Sequence, residues 1–283
     1  MKELINHITA QLATVYPEDE AQALAWWIME EETGLSRSQM LTGCKGTTNF
    51  AHVQEIVERI LHFEPIQYIF GHTLWNGLDL KVTPATLIPR PETAELVETI
   101  VNKFNRQSIV NRQSSNRQFR VLDIGTGSGC IAIALKKAHP EWQVTGIDIS
   151  EEAIEVAKEN AKRNGVEVEF LVADIFHLQS PISNLQYDII VSNPPYICES
   201  EKASMRPNVL NYEPATALFV PDNDPLKFYR RIAELKLGKH LFFEINEAYP
   251  DELSAMLSEL GYSSIQITND IYGKPRIIEA RMA

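Results

Sequence analysis

Apolar residues in the first 70 positions recur at the three- and four-residue spacing of amphipathic helices. The clearest case spans residues 49–63, where the spacing is kept by Val53, Ile56, Val57, Ile60 and Leu61. Residues 18–34 begin with acidic side chains, which suit the positive end of a helix, and finish at Gly34, a residue type common just past a helix end. The pattern predicts a helical N-terminal region, and it carries no motif with recognisable chemistry.

A short hairpin is predicted next, because an Asn-Gly pair stands between two apolar stretches in residues 72–84. A helix follows from about residue 91, since Pro91 fits a first helical turn and acidic residues come directly after it. Residues 105–118 contain the triplet Asn-Arg-Gln three times. Their polar, low-complexity character predicts an extended surface loop.

From residue 119 onward, short apolar runs alternate with helical patterns. Seven runs are predicted as strands: RVLDI, WQVTGID, VEFLVAD, YDIIVS, HLFFEI, SIQIT and PRIIEARM. Strands separated by helices predict a mostly parallel sheet with right-handed crossovers. The last two strands have no helix between them, which predicts an antiparallel hairpin at the edge of the sheet. The fold class is therefore α/β.

Composition narrows the function classes. The 283 residues are enough for about two domains, and 26 Lys+Arg against 38 Asp+Glu give a formal charge of −12. This charge opposes non-specific phosphate binding, so direct nucleic-acid binding is not expected. The three cysteines lack Cys-x-x-Cys spacing, so we expect neither a disulfide framework nor a metal site. The amphipathic N-terminus and the lack of an apolar run of roughly 20 residues predict a cytoplasmic protein with no membrane segment.

The first strand of the sheet leads into a glycine-rich loop, DIGTGSG, at residues 123–129. Between a strand and a helix, such a loop lets the backbone approach a nucleotide-like ligand. The third position of the dinucleotide fingerprint is Cys130, so no pyrophosphate-binding signature remains. Asp148 and Asp174 end the next two strands, where they can accept from ribose hydroxyls and from an adenine amino group. Ribose and adenine ligands without a phosphate ligand indicate S-adenosylmethionine.

The fourth strand ends in the sequence Asn193-Pro194-Pro195-Tyr196. Asn193 offers an amide carbonyl, and the prolines fix φ and free carbonyl groups from competing N–H donors. Tyr196 offers a flat face. Together they can accept two hydrogen bonds from a planar –NH₂ group and stack against it. The nitrogen of such a group is a weak nucleophile, so orientation must supply much of the catalysis, at best ~7–11 kcal/mol. No base is needed before attack, because the proton can leave after transfer.

These motifs resemble those of class I S-adenosylmethionine-dependent methyltransferases and, more narrowly, the release-factor glutamine methyltransferase family, also known as PrmC or HemK. The resemblance extends over almost the whole chain. The stretches that carry the resemblance are PIQYIFG at 65–71, LIPRPETAELVE at 87–98, DIGTGSG at 123–129, SNPPYI at 192–197, NYEPATAL at 211–218 and FFEI at 242–245. The resemblance implies a Rossmann-like seven-stranded methyltransferase domain at 87–283, a β-hairpin linker at 72–86 and a helical substrate-recognition domain at 1–71.

The resemblance also implies a reaction: methyl transfer from S-adenosylmethionine to the glutamine side-chain nitrogen in the Gly-Gly-Gln motif of peptide-chain release factors, with S-adenosylhomocysteine as product. The cofactor-binding residues it implies are Gly125, Thr126, Gly127, Ser128, Gly129, Asp148, Asp174, Ile175 and Asn193. It implies that Asn193 and Pro194 accept from the glutamine amide and, with Tyr196 packed on that amide, form the catalytic group. Pro195 shapes the turn, and Arg90 and Thr93 help to close over the substrate. We expect a monomer.

The chain departs from the family pattern at Ala94, where Glu is frequent, at residues 219–224, which are usually rich in glycine, and at Asn246, which replaces a commoner Gly. These positions concern docking of the protein substrate more than the chemistry.

Two alternatives stay open at this point. A DNA or RNA amino-methyltransferase would act on adenine N6 or guanine N2, which are also planar amines, but it must extrude a base and bind phosphates, which the net charge opposes. A non-catalytic binding module is opposed by the intact glycine-rich loop and the intact Asn-Pro-Pro-Tyr sequence.

Overall fold

The computed structural model describes residues 1–44, 46–110, 118–178 and 182–282. Its α-helices are α1 (Lys2–Leu12), α2 (Glu18–Thr33), α3 (Arg37–Leu41), α4 (Phe50–Leu61), α5 (Ile66–Phe70), α6 (Pro91–Val110), α7 (Cys130–Ala138), α8 (Glu151–Arg163), α9 (Pro207–Tyr212), α10 (Lys227–Glu234) and α11 (Pro250–Glu259). Its strands are β1 (His72–Trp75), β2 (Leu78–Lys81), β3 (Arg120–Ile124), β4 (Gln143–Asp148), β5 (Glu169–Val172), β6 (Tyr187–Ser192), β7 (Ile197–Cys198), β8 (Phe219–Val220), β9 (Gly238–Glu244), β10 (Tyr262–Asn269) and β11 (Pro275–Met282).

The first compact unit combines residues 1–71 with the later segment 206–212. Helices α1, α2 and α4 bury their apolar faces in one core, as their spacing predicts. The later segment is tied to this unit by two contacts: Arg206 pairs with Glu20 at 2.6 Å, and the Tyr212 hydroxyl donates to the His62 carbonyl at 2.9 Å. The helical character of the N-terminus is confirmed, whereas the predicted domain boundaries and the substrate-recognition role remain predictions.

The second unit begins with the predicted hairpin. Strands β1 and β2 pair antiparallel, with Trp75 opposite Leu78. The two residues between them, Asn76 and Gly77, have φ values of 46° and 73°. Two consecutive left-handed residues make the turn whose twist matches that of the flanking strands, which is why an Asn-Gly pair is a reliable hairpin signal.

A seven-stranded sheet forms the centre of the second unit, in the order β10-β11-β9-β6-β3-β4-β5. The five strands from β9 to β5 pair parallel, and β11 pairs antiparallel with both β9 and β10. Both faces are covered by apolar clusters, and every residue of β6 is buried. The predicted seven-stranded, mostly parallel sheet and its antiparallel edge hairpin are confirmed.

Strand register places several strand ends in one row. Ile124 of β3 lies opposite Ile147 of β4 and Ser192 of β6, and Ser192 lies opposite Phe243 of β9. The chain runs outward from β3 through β4 to β5 and then returns to β6 on the other side of β3. Such a reversal opens a crevice at the carboxyl ends of the strands, where ligands of this fold class bind.

The prediction of an extended loop at residues 105–118 is wrong for its first part, because α6 continues to Val110. The residues after 104 contain neither proline nor glycine up to that point. Each residue added to an existing helix gains a backbone hydrogen bond without a new nucleation cost, so polar residues can extend it. Residues 111–117 lie outside the described part of the chain.

Candidate active site

A cavity of about 440 Å³ opens at the carboxyl ends of the parallel strands. Its wall brings together most of the predicted site residues: Arg90, Thr93, Gly125, Thr126, Gly127, Ser128, Asp148, Asp174, Ile175, Asn193 and Pro195. Three other predicted residues, Gly129, Pro194 and Tyr196, do not line it. Residues from four separate strand ends thus converge on one cavity, as the parallel topology requires.

The glycine-rich loop lies against the end of β4. The N–H groups of Gly125 and Thr126 both donate to the Ile147 carbonyl at 2.9 Å. Gly127 adopts φ +55°, a left-handed value that strains residues with side chains, and its N–H donates to Asp148 Oδ2 at 2.9 Å. Beneath the loop, a Cβ on Gly146 would come within 2.8 Å of the Thr126 hydroxyl, so glycine there lets the loop approach the strand.

Two buried polar side chains support the same loop. Oδ2 of Asp123 accepts from the Thr126 hydroxyl at 2.6 Å and from the Ala132 N–H at 3.2 Å. Its Oδ1 has no hydrogen-bond partner among the described residues, and burial raises the pKa of this carboxyl to about 7. Asn160 of α8 donates to the Ser128 carbonyl at 2.9 Å. The glycine-rich loop is therefore fixed by hydrogen bonds with Asp123 and Asn160 as well as by those with the end of β4.

Asp148 and Asp174 occupy different electrostatic settings. Asp148 accepts from the N–H groups of Gly127 and Ser150 at 2.9 and 3.0 Å, and burial raises its pKa. Asp174 accepts from the Phe176 N–H at 2.9 Å and from His177 Nδ1 at 2.7 Å; the bond from His177 lowers its pKa. A carboxylate offers about four lone-pair sites. Each side chain therefore retains acceptor capacity for a ligand in the cavity.

Apolar side chains make up much of the remaining wall. They include Ile131, Ile149, Phe176 and Phe228, and the two aromatic rings pack edge to face with centroids 5.6 Å apart. Among the described residues that line the cavity, Arg90 is the only lysine or arginine. A slot with carboxylates, apolar walls and little positive charge suits a nucleoside without phosphates, which fits S-adenosylmethionine. The sequence analysis missed the two phenylalanines, because single aromatic residues in loops and helices carry no motif.

A hydrogen-bonded chain connects the Asn-Pro-Pro-Tyr sequence to the end of β9. The Asn193 side-chain nitrogen donates to Thr93 Oγ1 at 3.2 Å, and Thr93 donates to Glu244 Oε2 at 2.6 Å. The Tyr196 hydroxyl donates to the other oxygen, Glu244 Oε1, at 3.0 Å. Glu244 is 1 % exposed, and burial raises its pKa; burial and the nearby Glu244 also raise the pKa of Tyr196.

A second buried carboxylate, that of Glu213, stabilises the segment that leads into α6. Arg90 pairs with the buried Glu213 at 2.5 Å, and Glu213 also accepts from the Ile88 N–H at 3.2 Å. The Trp75 indole donates to the Arg90 carbonyl at 2.7 Å. The guanidinium of Arg90 is thus engaged within the protein. Glu213 and Glu244 lie in two stretches singled out from the sequence, but neither was predicted as a site residue. For Glu244 the available signal was an acidic residue inside the otherwise apolar stretch FFEI.

Family models and a solved structure match this chain. A family model described as a methyltransferase domain matches residues 115–235, and one described as the PrmC N-terminal domain matches residues 3–71. The catalytic domain of human METTL16 is similar in fold, with a TM-score of 0.57 and 16% identity over 97% of this chain and 92% of that one. The fold and the cavity define an S-adenosylmethionine-dependent methyltransferase.

Two relatives define the family more narrowly. The release factor glutamine methyltransferase of Bacteroides thetaiotaomicron is 41% identical over 99% of this chain and 99% of its own length. The enzyme of the same name from Flavobacterium psychrophilum is 39% identical over 99% of this chain and 98% of its own length. The chain belongs to the release factor glutamine methyltransferase family, which confirms the resemblance seen in the sequence. Separately, no helix within the described residues is long and apolar enough to cross a membrane.

Proposed function

We propose that the protein transfers the methyl group of S-adenosylmethionine to the side-chain nitrogen of the glutamine in the Gly-Gly-Gln motif of peptide-chain release factors. Relatives of that name, about two-fifths identical along their whole length, support the substrate. The observation that carries the chemistry is the position of Asn193. It lies in the wall of the same cavity as the glycine-rich loop and Asp148, so one cavity can hold both a methyl donor and a planar amide.

The cofactor, when bound, supplies an electrophilic methyl group on a sulfonium ion. Asp148 would accept hydrogen bonds from the ribose hydroxyls, and Asp174 and Ile175 would lie beside the adenine. The apolar wall, with Phe176 and Phe228, excludes water from the cofactor, and the carboxylates around the loop favour a cationic ligand. These roles use acceptor sites that the structure leaves open on both aspartates.

The chain acts on the substrate chiefly by orientation. The Asn193 side-chain oxygen and the Pro194 carbonyl each accept one hydrogen of the glutamine –NH₂ group, with Pro195 shaping the turn and Tyr196 packing on the amide. This placement holds the nitrogen toward the methyl donor, an effect worth ~7–11 kcal/mol at best. The described residues that line the cavity include no lysine or histidine. An amide N–H becomes strongly acidic only once the nitrogen carries the added methyl group, so the proton can leave after the transfer and no base is needed before it.

One labelling experiment tests the substrate class. The enzyme is incubated in one tube with radiolabelled S-adenosylmethionine, a bacterial release factor and total nucleic acid. The release factor and the nucleic acid are present in equal mass. We expect the label in the release factor. If the nucleic acid is labelled and the release factor is not, the result would favour a DNA or RNA amino-methyltransferase, whose acceptor is also a planar amine.

We further propose that residues 1–71 help to bind the release factor. The cavity is lined entirely by residues of the second compact unit. A variant that lacks residues 1–71 should therefore keep its affinity for S-adenosylmethionine within a few-fold, by calorimetry, and lose at least about tenfold in kcat/KM for the release factor, since interface energy is concentrated in a few contacts. Circular dichroism checks that the remainder is folded. Full-rate methylation by the truncated enzyme would assign the helices another role.

A further inference from the structure

Glu244 combines features that a merely structural residue of a strand end does not need. Its carboxylate is buried, yet each of its oxygens receives a hydroxyl donor, from Thr93 and from Tyr196. A carboxylate buried away from water is costly unless it is hydrogen-bonded, and these two bonds stabilise its ionised form. The two donors come from elements far apart in sequence: Thr93 lies in the first turn of α6, and Tyr196 ends the Asn-Pro-Pro-Tyr sequence.

In the ionised form of Glu244, which these two bonds favour against the burial that raises its pKa, the number of hydrogens in this chain fixes the direction of every bond. A threonine hydroxyl has a single hydrogen, and Thr93 gives it to Glu244 at 2.6 Å. An ionised carboxylate can only accept, so this bond cannot reverse. Thr93 Oγ1 therefore has only lone pairs to offer Asn193, and it can receive the side-chain –NH₂ but not the side-chain carbonyl. The distance from Asn193 Nδ2 to Thr93 Oγ1 is 3.2 Å.

We propose that Glu244 is a positioning residue that, through Thr93, fixes which end of the Asn193 amide faces the substrate. With the nitrogen held by Thr93, the oxygen is the end left for the cavity. The oxygen accepts from a substrate –NH₂ group and repels a carboxylate or carbonyl. Glu244 itself touches no substrate. This inference rests on the proposed function, because it explains how the site selects a glutamine amide.

The sharpest variant is Thr93→Val, which keeps the shape of the side chain and removes the hydroxyl. Asn193 can then turn either end toward the substrate. We expect kcat on the release factor to fall roughly ten- to hundredfold, the range for a misplaced or unpaired buried polar group, with affinity for S-adenosylmethionine within a few-fold. Thr93→Ser keeps the donor and should restore most of the activity.

A change in ligand preference separates orientation from general damage. The probe is a release factor in which the Gly-Gly-Gln glutamine is replaced by glutamate, used as an inhibitor. For the wild-type enzyme it should inhibit weakly, since the Asn193 oxygen faces the carboxylate. In Thr93→Val the Asn193 –NH₂ group can face it, so the inhibition constant divided by KM should fall about tenfold.

Thr145→Val is the matched control. Thr145 is also a buried threonine that donates to a carboxylate, Glu169 at 3.1 Å, but it does not line the cavity. We expect this variant to match the wild type in kcat and in the ratio of the inhibition constant to KM.

Glu244→Gln tests the same hydrogen-bonded chain from its other end. Its –NH₂ group can donate to Thr93 Oγ1, which frees the threonine hydrogen for the Asn193 oxygen, so the same loss and the same change in ratio are expected.

The outcomes are distinct. Wild-type rates and an unchanged inhibition ratio in both Thr93→Val and Glu244→Gln overturn the positioning role, even though the release factor is methylated. Equal losses in Thr93→Val and Thr93→Ser, with no change in the ratio, also overturn it, because they indicate general damage. A wild-type enzyme that does not methylate the release factor at all contradicts the proposed function instead.

Discussion

The Asn193→Ala variant should lose at least about 100-fold in kcat on a release factor while its affinity for S-adenosylmethionine changes by only a few-fold. The substitution removes one of the two acceptors for the substrate –NH₂ group. One N–H of the bound glutamine amide is then buried without a partner, which costs roughly 1–3 kcal/mol. Lost orientation of a weak nucleophile adds to that cost. Single-turnover kinetics with saturating cofactor measure the chemical step, and calorimetry measures cofactor binding.

Asn164→Ala is a suitable control for this variant. The Asn164 side chain also makes backbone hydrogen bonds, to the Asp79 carbonyl and the Asn160 carbonyl, each at 2.9 Å, but it does not line the cavity. Its kcat should stay near the wild-type value. Asn193→Asp keeps an acceptor oxygen but cannot donate to Thr93, so we expect activity between those of the wild type and Asn193→Ala. An Asn193→Ala enzyme with near wild-type kcat would show that this side chain does not orient the substrate.

The Asp148→Ala variant should have the second large effect, on cofactor binding. A hydrogen bond to a charged group contributes on the order of 1.5–3 kcal/mol, so affinity for S-adenosylmethionine should fall roughly 10- to 150-fold. Calorimetry on the apoprotein measures the change. At saturating cofactor, kcat should recover to within a few-fold of the wild-type value, because Asp148 is not proposed to contact the substrate amide.

Asp222→Ala controls for the loss of a carboxylate that accepts from the backbone. Asp222 accepts from the Ser200 N–H at 2.9 Å and lies on the surface outside the cavity. Its substitution should leave affinity for the cofactor unchanged. An Asp148→Ala protein that binds S-adenosylmethionine as tightly as the wild type would remove Asp148 from the cofactor site.

Much of the fold could be predicted because its signals are local. Apolar runs marked all seven strands of the main sheet, and the Asn-Gly pair marked the hairpin. The convergence of Asp148 and Asn193 on one cavity also followed from the sequence, since parallel strands carry their carboxyl ends to the same edge. The end of α6 could not be placed, because a polar stretch without proline or glycine is compatible with both a loop and a helix.

The pairings that hold the site together could not be predicted. Thr93 and Glu244 are 151 positions apart, and Thr93 and Asn193 are 100 apart. A sequence motif shows that such residues are present but does not show which donors face which acceptors. Those contacts depend on how α6 packs against the ends of β6 and β9. The direction of the hydrogen bonds, on which the preference for an amide rests, emerges only from that packing.

The most direct test of the central claim is to locate the transferred methyl group by mass spectrometry. The wild-type enzyme is incubated with S-adenosylmethionine and a release factor, and the peptide that contains Gly-Gly-Gln is fragmented. We expect a single added methyl group on the glutamine side chain, and none when that glutamine is replaced by glutamate. A methyl group on another residue, or equal methylation of the glutamate-substituted factor, would contradict the account.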